Sequence, residues 1–522
     1  MTAPLRIALV ATVASSAALP AAAGDASVLA AAEERMVSLI EQVEPSVVSV
    51  VRGRAGSDRV AADRINPFGV APGFPGGRFN DFPQFPQPGD PDFVPEQFGA
   101  GVVVADEAGN RFILTNHHVV HGGPAADAAP PQGDGPQVYV RFHDRRGYYA
   151  KIHASDPRSD LAVLRIDYDA LGVTAPDGPD DFPRPLPLSD AEQYRKGQFV
   201  FVFGNPYGVA RDGSASVGWG IIGNVLRRPA PAGPPWDMEA KKDETIHHYG
   251  TLLQLDCRTD LGFSGGATID RDGKLIGITT ALAAIEGYES TAGFAIPIDA
   301  GVRRLIDELL KGHEAEYGFL GVQPEDVTGP QLRLLASDAA ATGGVRAQSV
   351  KSGSPADRAG LRAGDVVLAI DGRPVRTTHD LMRQIGLAGP GAEVDLDVVQ
   401  IGTGRRGGGR KTVRVRLDKW PVVNDQDLVA TVPRYEPWHG LRVDHATARQ
   451  RFVSPQLEPY PQGVVVLSAA EPIGGADPIE PGDFIRAVND EPVDTPAEFY
   501  DAVRGAAAVT LHLADGRRVT VE

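Results

Sequence analysis

The sequence predicts a mostly β protein, built from antiparallel barrels or a sandwich and ending in two copies of a smaller α+β module. Three observations carry this. From about residue 100 to 300, short runs of β-branched and aromatic residues alternate with turns, with no βαβ rhythm. The last third repeats itself: Gly360-Leu361-Arg362-Ala363-Gly364-Asp365-Val366-Val367 is echoed 118 positions later by Pro478-Ile479-Glu480-Pro481-Gly482-Asp483-Phe484-Ile485. Glycine (60) and proline (43) are abundant among the 522 residues, which suits many turns and short strands rather than helical bundles. A chain of this length exceeds one hydrophobic core, so about three domains are expected.

The elements follow in order. Arg6 precedes an uncharged apolar run over 7–19, followed by Pro20 and Ala21-Ala22-Ala23. This is the order of an export signal cleaved near Ala23. The run is too short to cross a bilayer comfortably, and retention as an anchor is the competing reading. Residues 27–43 are expected to be helical. Leu29, Met36, Ile40 and Val43 recur near helical spacing, Ser27 can cap, and Pro45 ends the run. Val47-Val48-Ser49-Val50-Val51 reads as a strand.

Residues 53–98 hold seven of the chain's 19 phenylalanines among Gly, Pro and Asp. The prolines exclude a long helix or a central strand, and bare aromatic surface is sticky. The segment therefore reads as an inserted loop that packs on another subunit or over a cleft. Strands are expected at 101–104, 112–114, 138–142, 161–164, 199–203 and 275–278, with a surface loop over 121–136 and a helix over 300–310. Each repeat copy runs on into an amphipathic helix (Leu381, Ile385; Phe499, Val503) and a closing strand. The resulting division is a signal over 1–23, a β domain over 27–315 and modules over 317–421 and 435–522, with 422–434 as linker.

The net charge of −17 argues against a general nucleic-acid binder, which needs basic surface to displace counterions. The single cysteine, Cys257, cannot form an internal disulfide and reads as a small buried apolar residue. His247-His248 and Cys257 lack metal-ligand spacing, and no glycine loop of phosphate-cradling form occurs. No metal or cofactor is expected.

Chemistry concentrates at Gly262-Phe263-Ser264-Gly265-Gly266. Serine is a poor nucleophile at neutral pH and needs a base, an orienting partner for that base and donors aimed at the developing oxyanion. Gly262, two residues before Ser264, lets the backbone turn so that the Gly262 and Ser264 N–H groups point into one hole. Gly265 and Gly266 are expected to allow close substrate approach.

With these residues the chain resembles the HtrA (Deg) branch of the trypsin-like serine proteases over nearly all of its mature length. Ile113-Leu114-Thr115-Asn116-His117-His118-Val119-Val120 resembles the family's histidine motif and implies His118 as general base. Asp156-Pro157-Arg158-Ser159-Asp160-Leu161-Ala162-Val163-Leu164 resembles its aspartate motif and implies Asp160 as the carboxylate that orients His118. Gln254-Leu255-Asp256 followed by the Ser264 segment resembles its nucleophile region. Gly204-Asn205-Pro206-Tyr207-Gly208 and Gly293-Phe294-Ala295-Ile296-Pro297 are further marks. The order His, Asp, Ser is that of the double β-barrel proteases, so the resemblance implies a chymotrypsin-like protease domain. His117 is expected to point away from the base's site, in a structural role.

The sequence departs from the family's Asn-Pro-Gly-Asn-Ser-Gly-Gly-Pro at Asp260, Leu261, Phe263 and Ala267. Leu261 replaces a proline and loosens the preceding loop. Phe263 is expected to put a bulky apolar side chain beside the oxyanion site, and Asp260 adds negative charge nearby.

The repeated modules resemble PDZ domains. In the first, Phe319, Leu320, Gly321 and Val322 look like the carboxylate-binding loop and following strand, which capture a peptide C-terminus by backbone N–H groups and strand addition. In the second, Trp438-His439-Gly440-Leu441-Arg442-Val443 occupies the equivalent place but matches poorly, leaving ligand binding and a scaffold role both open. The resemblance implies an exported, periplasmic, ATP-independent serine endopeptidase for misfolded or unfolded proteins in envelope quality control. It also implies assembly as a trimer or an oligomer of trimers, with unfolded proteins and C-terminal peptides as partners, and membrane contact only if the signal is retained. The competing expectation is a chaperone or peptide-binding scaffold with a weak or inactive protease site.

Overall fold

The computed structural model describes residues 23–53, 97–121, 137–168, 182–205, 213–229, 245–260, 262–280, 292–335, 342–400, 409–422, 428–452, 460–470, 473, 478–506 and 508–521. The export-signal run, nearly all of the Phe-rich segment and the 121–136 loop beyond His121 lie outside the described residues.

Helix α1 (Ala23–Val43) opens the described chain and is followed by a short 3-10 turn containing Pro45. Six strands then build the first barrel: β1 (Val47–Gly53), β2 (Gln97–Ala105), β3 (Arg111–Thr115), β4 (Gln137–Arg141), β5 (Gly147–Asp156) and β6 (Leu161–Ile166). They run in the order β5-β4-β1-β2-β3-β6, and β5 also pairs with β6, which closes the ring. Helix α2 (His117–His121) interrupts the path just after β3.

The second barrel is closed by β7 (Phe199–Gly204), β8 (Ser216–Arg227), β9 (Leu252–Leu255), β10 (Ala267–Ile269), β11 (Leu275–Thr279) and β12 (Gly293–Pro297), in the order β10-β11-β12-β9-β8-β7. All pairings in both barrels are antiparallel.

The two-residue period of a strand explains the packing. Val103 and Ile113 fill the first barrel with Val48, Val50 and Leu164. Their neighbours Val102, Val104 and Leu114 face the other way, into a shared core with Phe203, Ile278 and Ile296 of the second barrel. Both faces of β2 and β3 are buried, which is why these strands read as apolar runs rather than as alternation. Leu39 and Val43 of α1 join the same shared core, as do Leu305, Ile306 and Leu309 of α3 (Ala300–Leu310). Asp299 caps α3 by accepting from the Val302 N–H at 3.0 Å.

The repeat is visible in three dimensions. After the short pair β13 (Gly318–Phe319) with β20 (Asp418–Lys419), the first module holds β14 (Val322–Thr328), β15 (Gly343–Val350), β16 (Val366–Ile370), β17 (Arg373–Pro374), β18 (Glu393–Val399), β19 (Arg410–Arg416) and helix α4 (Thr378–Ala388). The second holds β22 (Leu441–His445), β23 (Val464–Ala469), β24 (Phe484–Val488), β25 (Glu491–Pro492), β26 (Val509–Leu513), β27 (Arg518–Val521) and helix α5 (Pro496–Val503). Their strand orders, β14-β15-β16-β18-β19 and β22-β23-β24-β26-β27, match one for one. Thr377 with Asp380 and Thr495 with Glu498 form reciprocal caps at the starts of α4 and α5. Asp371 and Asn489 both sit at φ +49°, at equivalent turns.

The expected linker is not a free tether. Val429–Ala430 forms β21 and pairs with Ser155 and Ala154 of β5, extending the first barrel's sheet. β4 pairs with β5 only from Gly147 to Ala150, so the open edge farther along accepts a short extended segment. Nearby, the ammonium of Lys419, 4% exposed, meets Glu314 at 3.0 Å, Glu316 at 3.1 Å and Asp444 at 3.0 Å. Asp444 belongs to β22, so this buried cluster ties the second module to the segment that leaves the second barrel. A buried ammonium needs such partners to offset the loss of water.

Candidate active site

The segment after β3 turns immediately into α2, and this places His118 over the β5–β6 turn. His118 Nδ1 lies 2.9 Å from Oδ1 and 2.9 Å from Oδ2 of Asp160. The His118 backbone N–H also donates to Asp160 Oδ1 at 3.0 Å. Asp160 is 2% exposed and has φ +51°, a left-handed conformation that a non-glycine residue keeps only where its surroundings hold it.

Those surroundings are identifiable. The Asp160 carbonyl accepts from His117 N–H at 3.1 Å and from Asn116 Nδ2 at 2.9 Å. Its carboxylate also accepts from Thr280 Oγ1 at 3.2 Å. Burial disfavours the Asp160 anion, but the charge and hydrogen bonds of His118 outweigh this and hold its pKa below the ordinary carboxylate value. Burial likewise disfavours an imidazolium at His118, and Asp160 more than compensates, so the His118 pKa lies above 6.5.

His117 faces elsewhere. Its Nδ1 lies 2.7 Å from Ser155 Oγ and its ring stacks on His121, with centroids 4.4 Å apart. That is the one-turn spacing of a helix, not the alternation of a strand.

Ser264 sits in a turn wedged between the barrels. Its carbonyl accepts from Ala100 N–H of β2 at 2.8 Å. The flanking Gly265 N–H donates to Thr279 O at 2.9 Å, and Thr279 N–H donates to Gly266 O at 2.9 Å. A side-chain carbon on Gly265 would lie 2.1 Å from Ala100 O, and one on Gly266 would lie 2.0 Å from Phe203 O. These glycines therefore admit the backbones of the two barrels, where the sequence suggested room for substrate. Gly262 has φ +103°, which suits glycine alone at this point of the turn. Its carbonyl accepts from Asn205 N–H at 3.2 Å, and the Phe263 N–H is used by Asp260 O at 3.0 Å.

Phe263 corrects another expectation. Its ring, 6% exposed, packs inside the second barrel with Val200, Val202, Ile222, Leu253 and Ile276 instead of standing beside the oxyanion site. Gly204 makes the room: a side-chain carbon there would come within 2.6 Å of the ring. Asp260 is half-buried, and Leu261 lies outside the described residues.

In the first module, Phe319-Leu320-Gly321-Val322 joins β13 to β14. Gly321 has φ +84°, its carbonyl accepts from Lys351 N–H at 2.9 Å, and Leu320 is buried against α4's face with Leu381 and Ile385. In the second module the loop closes on itself: Leu441 N–H donates to Trp438 O at 2.8 Å and Trp438 N–H to Leu441 O at 3.1 Å. The Val443 N–H donates to the Tyr500 hydroxyl of α5 at 3.3 Å. Among the described residues no group of three His, Cys, Asp or Glu could hold a metal ion, and no helix is long and apolar enough to cross a membrane. Burial pushes the Cys257 thiol up to about 11, which keeps it protonated and unreactive.

Two stretches of the chain match known families. Residues 99–278 match the trypsin-like peptidase domain, and residues 318–417 match the PDZ domain. A probable periplasmic serine endoprotease, DegP-like, from Pseudomonas putida (strain W619) is 26% identical over 490 residues, covering 91% of this chain and 89% of that protein. A protein of the same name from Halomonas elongata is 29% identical over 486 residues, covering 89% of this chain and 87% of its own length. The chain is a serine endopeptidase with a trypsin-like peptidase domain and a PDZ domain. The solved structure of HtrA-type protease AlgW with tripeptide is also similar, at 24% identity and TM-score 0.48, covering 74% of the peptidase chain and 97% of its own.

Three features of the peptidase carried no signal of their own in the sequence. Thr280, which supports Asp160, is an ordinary threonine after a strand. Asp156 is bound by Arg158 Nε at 2.8 Å, by Ser159 N–H at 3.0 Å and by the Tyr317 hydroxyl, from 161 positions away. His247 lies on the carbonyl of Ser159. Each depends on contacts between distant segments, which no local pattern reports.

Proposed function

We propose that this peptidase is an exported, ATP-independent endopeptidase that degrades misfolded or unfolded proteins in envelope quality control. Ser264 attacks the peptide carbonyl. His118 accepts the serine proton and returns it to the leaving amine. Asp160 holds the His118 ring in one tautomer, with Nδ1–H directed at its carboxylate, and stabilises the imidazolium that forms. The N–H groups of Gly262 and Ser264 bind the oxyanion. The observation that carries this reading is His118 Nδ1 within 2.9 Å of both Asp160 oxygens, on a buried aspartate.

The first module captures C-terminal peptides at Phe319, Leu320, Gly321 and Val322. The second is a scaffold, because the strand edge that would pair with a peptide is already bound to Tyr500 and its loop is closed on itself. The apolar run over 7–19 and the relatives' periplasmic designation support export. Assembly through the protease domain as a trimer follows from the resemblance.

The test is cleavage of casein by the purified chain and by Ser264→Ala, with heat and a C-terminal peptide included as activators. Cleavage by the wild type alone is expected. Equal, negligible cleavage by both would replace the protease reading with that of a chaperone.

A further inference from the structure

We propose that His247 is a positioning residue for peptide cleavage, holding Asp160 on His118 through the carbonyl of Ser159. The inference rests on the triad reading above. His247 lies in a 3-10 turn (Ile246–Tyr249) between β8 and β9 and is 0% exposed. Its Nε2 is 2.7 Å from Ser159 O. A carbonyl only accepts, so Nε2 carries the hydrogen. Nδ1 is then the acceptor and takes the Thr251 hydroxyl. Burial holds the imidazole below its ordinary pKa, so this neutral tautomer, with both nitrogens used, is the resting state.

The same turn grips the preceding residue, since Ile246 N–H donates to Arg158 O at 2.7 Å. Two consecutive carbonyls, at 158 and 159, are thus fixed immediately before Asp160. The turn is itself anchored. Thr245 and His248 cap it reciprocally, and Arg383 of α4 donates to Tyr249 O and Gly250 O, each at 3.2 Å. Asp160 needs such bracing because its φ of +51° is left-handed. Without the His247 donor the Ser159 carbonyl is buried and unpaired, and the peptide between 159 and 160 is free to rotate toward a relaxed φ. That rotation carries the carboxylate away from His118 without touching substrate contacts.

The test is steady-state cleavage of a peptide substrate by the full chain and three variants. His247→Gln places an amide N–H near the position of Nε2, His247→Asn places one near Nδ1 instead, and His247→Phe fills the volume with no donor. A 10- to 100-fold loss of kcat with KM held within about two-fold is expected for His247→Phe and His247→Asn, as for a misplacement of about 1 Å in a catalytic group. His247→Gln should restore most of kcat, with all rates read well below the melting temperature of every variant. Equal impairment by the Gln and Asn variants would overturn the inference, as would wild-type kcat in folded His247→Phe. Ser264→Ala separates the two readings. If it is dead while His247→Phe is fully active, only the positioning role falls. If Ser264→Ala cleaves at the wild-type rate, the triad falls and takes the inference with it.

Discussion

The two β-barrels have the same six-strand closed architecture but contribute to the site in different ways. The first supplies side chains: His118 and Asp160 face each other because α2 and the β5–β6 turn are fastened by hydrogen bonds from Asn116, His117 and Thr280. The second supplies a serine carried on a shaped backbone turn: Ser264 sits in a glycine turn whose shape is set by φ +103° at Gly262 and by close approach of Ala100 and Phe203. Each half is therefore vulnerable in its own way. Changes in the first barrel should alter proton transfer, and changes in the second should alter oxyanion stabilisation or folding.

The largest expected effect is in the first barrel. Asp160→Asn should lower kcat by roughly 10⁴-fold, the scale of losing the carboxylate that fixes the base's tautomer. It should also move the pH profile. With His118 as the proposed base, activity needs its neutral form; the Asp160 charge favours a proton on that ring, so the wild-type acid limb is expected above the ordinary histidine value of about 6.5. In the asparagine variant the proton is lost more easily, and the acid limb of kcat/KM should move to lower pH. An acid limb that stays in place would show that His118 is not the titrating base.

Gly262→Ala is the matching change in the second barrel. Alanine resists φ +103°, so the turn should relax and misdirect a donor, with a loss in kcat of about 10²- to 10³-fold and little change in the pH profile. A shifted profile would erase the distinction between the two barrels.

Phe263→Ala should do least to the chemistry. The ring is part of the barrel core, so the expected cost is about 3–5 kcal/mol of stability, read by thermal or denaturant unfolding. Activity below the lowered melting temperature should stay within a few-fold of wild type. A large kcat loss in the folded variant would place the ring's influence back at the oxyanion.

The sequence made much of this legible, for physical reasons that can be named. His118, Asp160 and Ser264 lie in contiguous motifs whose spacing local turns dictate, and the repeat was readable because Gly364 and Gly482 mark equivalent turns, both at φ +97°. Phe263 was misplaced because the direction of a side chain in a glycine turn depends on which neighbour leaves room, and here Gly204 does. The 422–434 segment looked like a linker because two residues, Val429 and Ala430, are too short a strand to stand out. The buried Lys419 cluster has no local pattern, since its partners Glu314, Glu316 and Asp444 come from two separate stretches of chain.

Activation of Ser264 by His118 held on Asp160 is tested by covalent labelling. The wild-type chain, Ser264→Ala and His118→Ala are treated with a fluorophosphonate, and the modified residue is located by mass spectrometry. One label per wild-type chain is expected, on Ser264, with none on Ser264→Ala and labelling slowed by at least about a thousand-fold in His118→Ala. Labelling of Ser264 at the same rate with and without His118, or on another residue altogether, would contradict it.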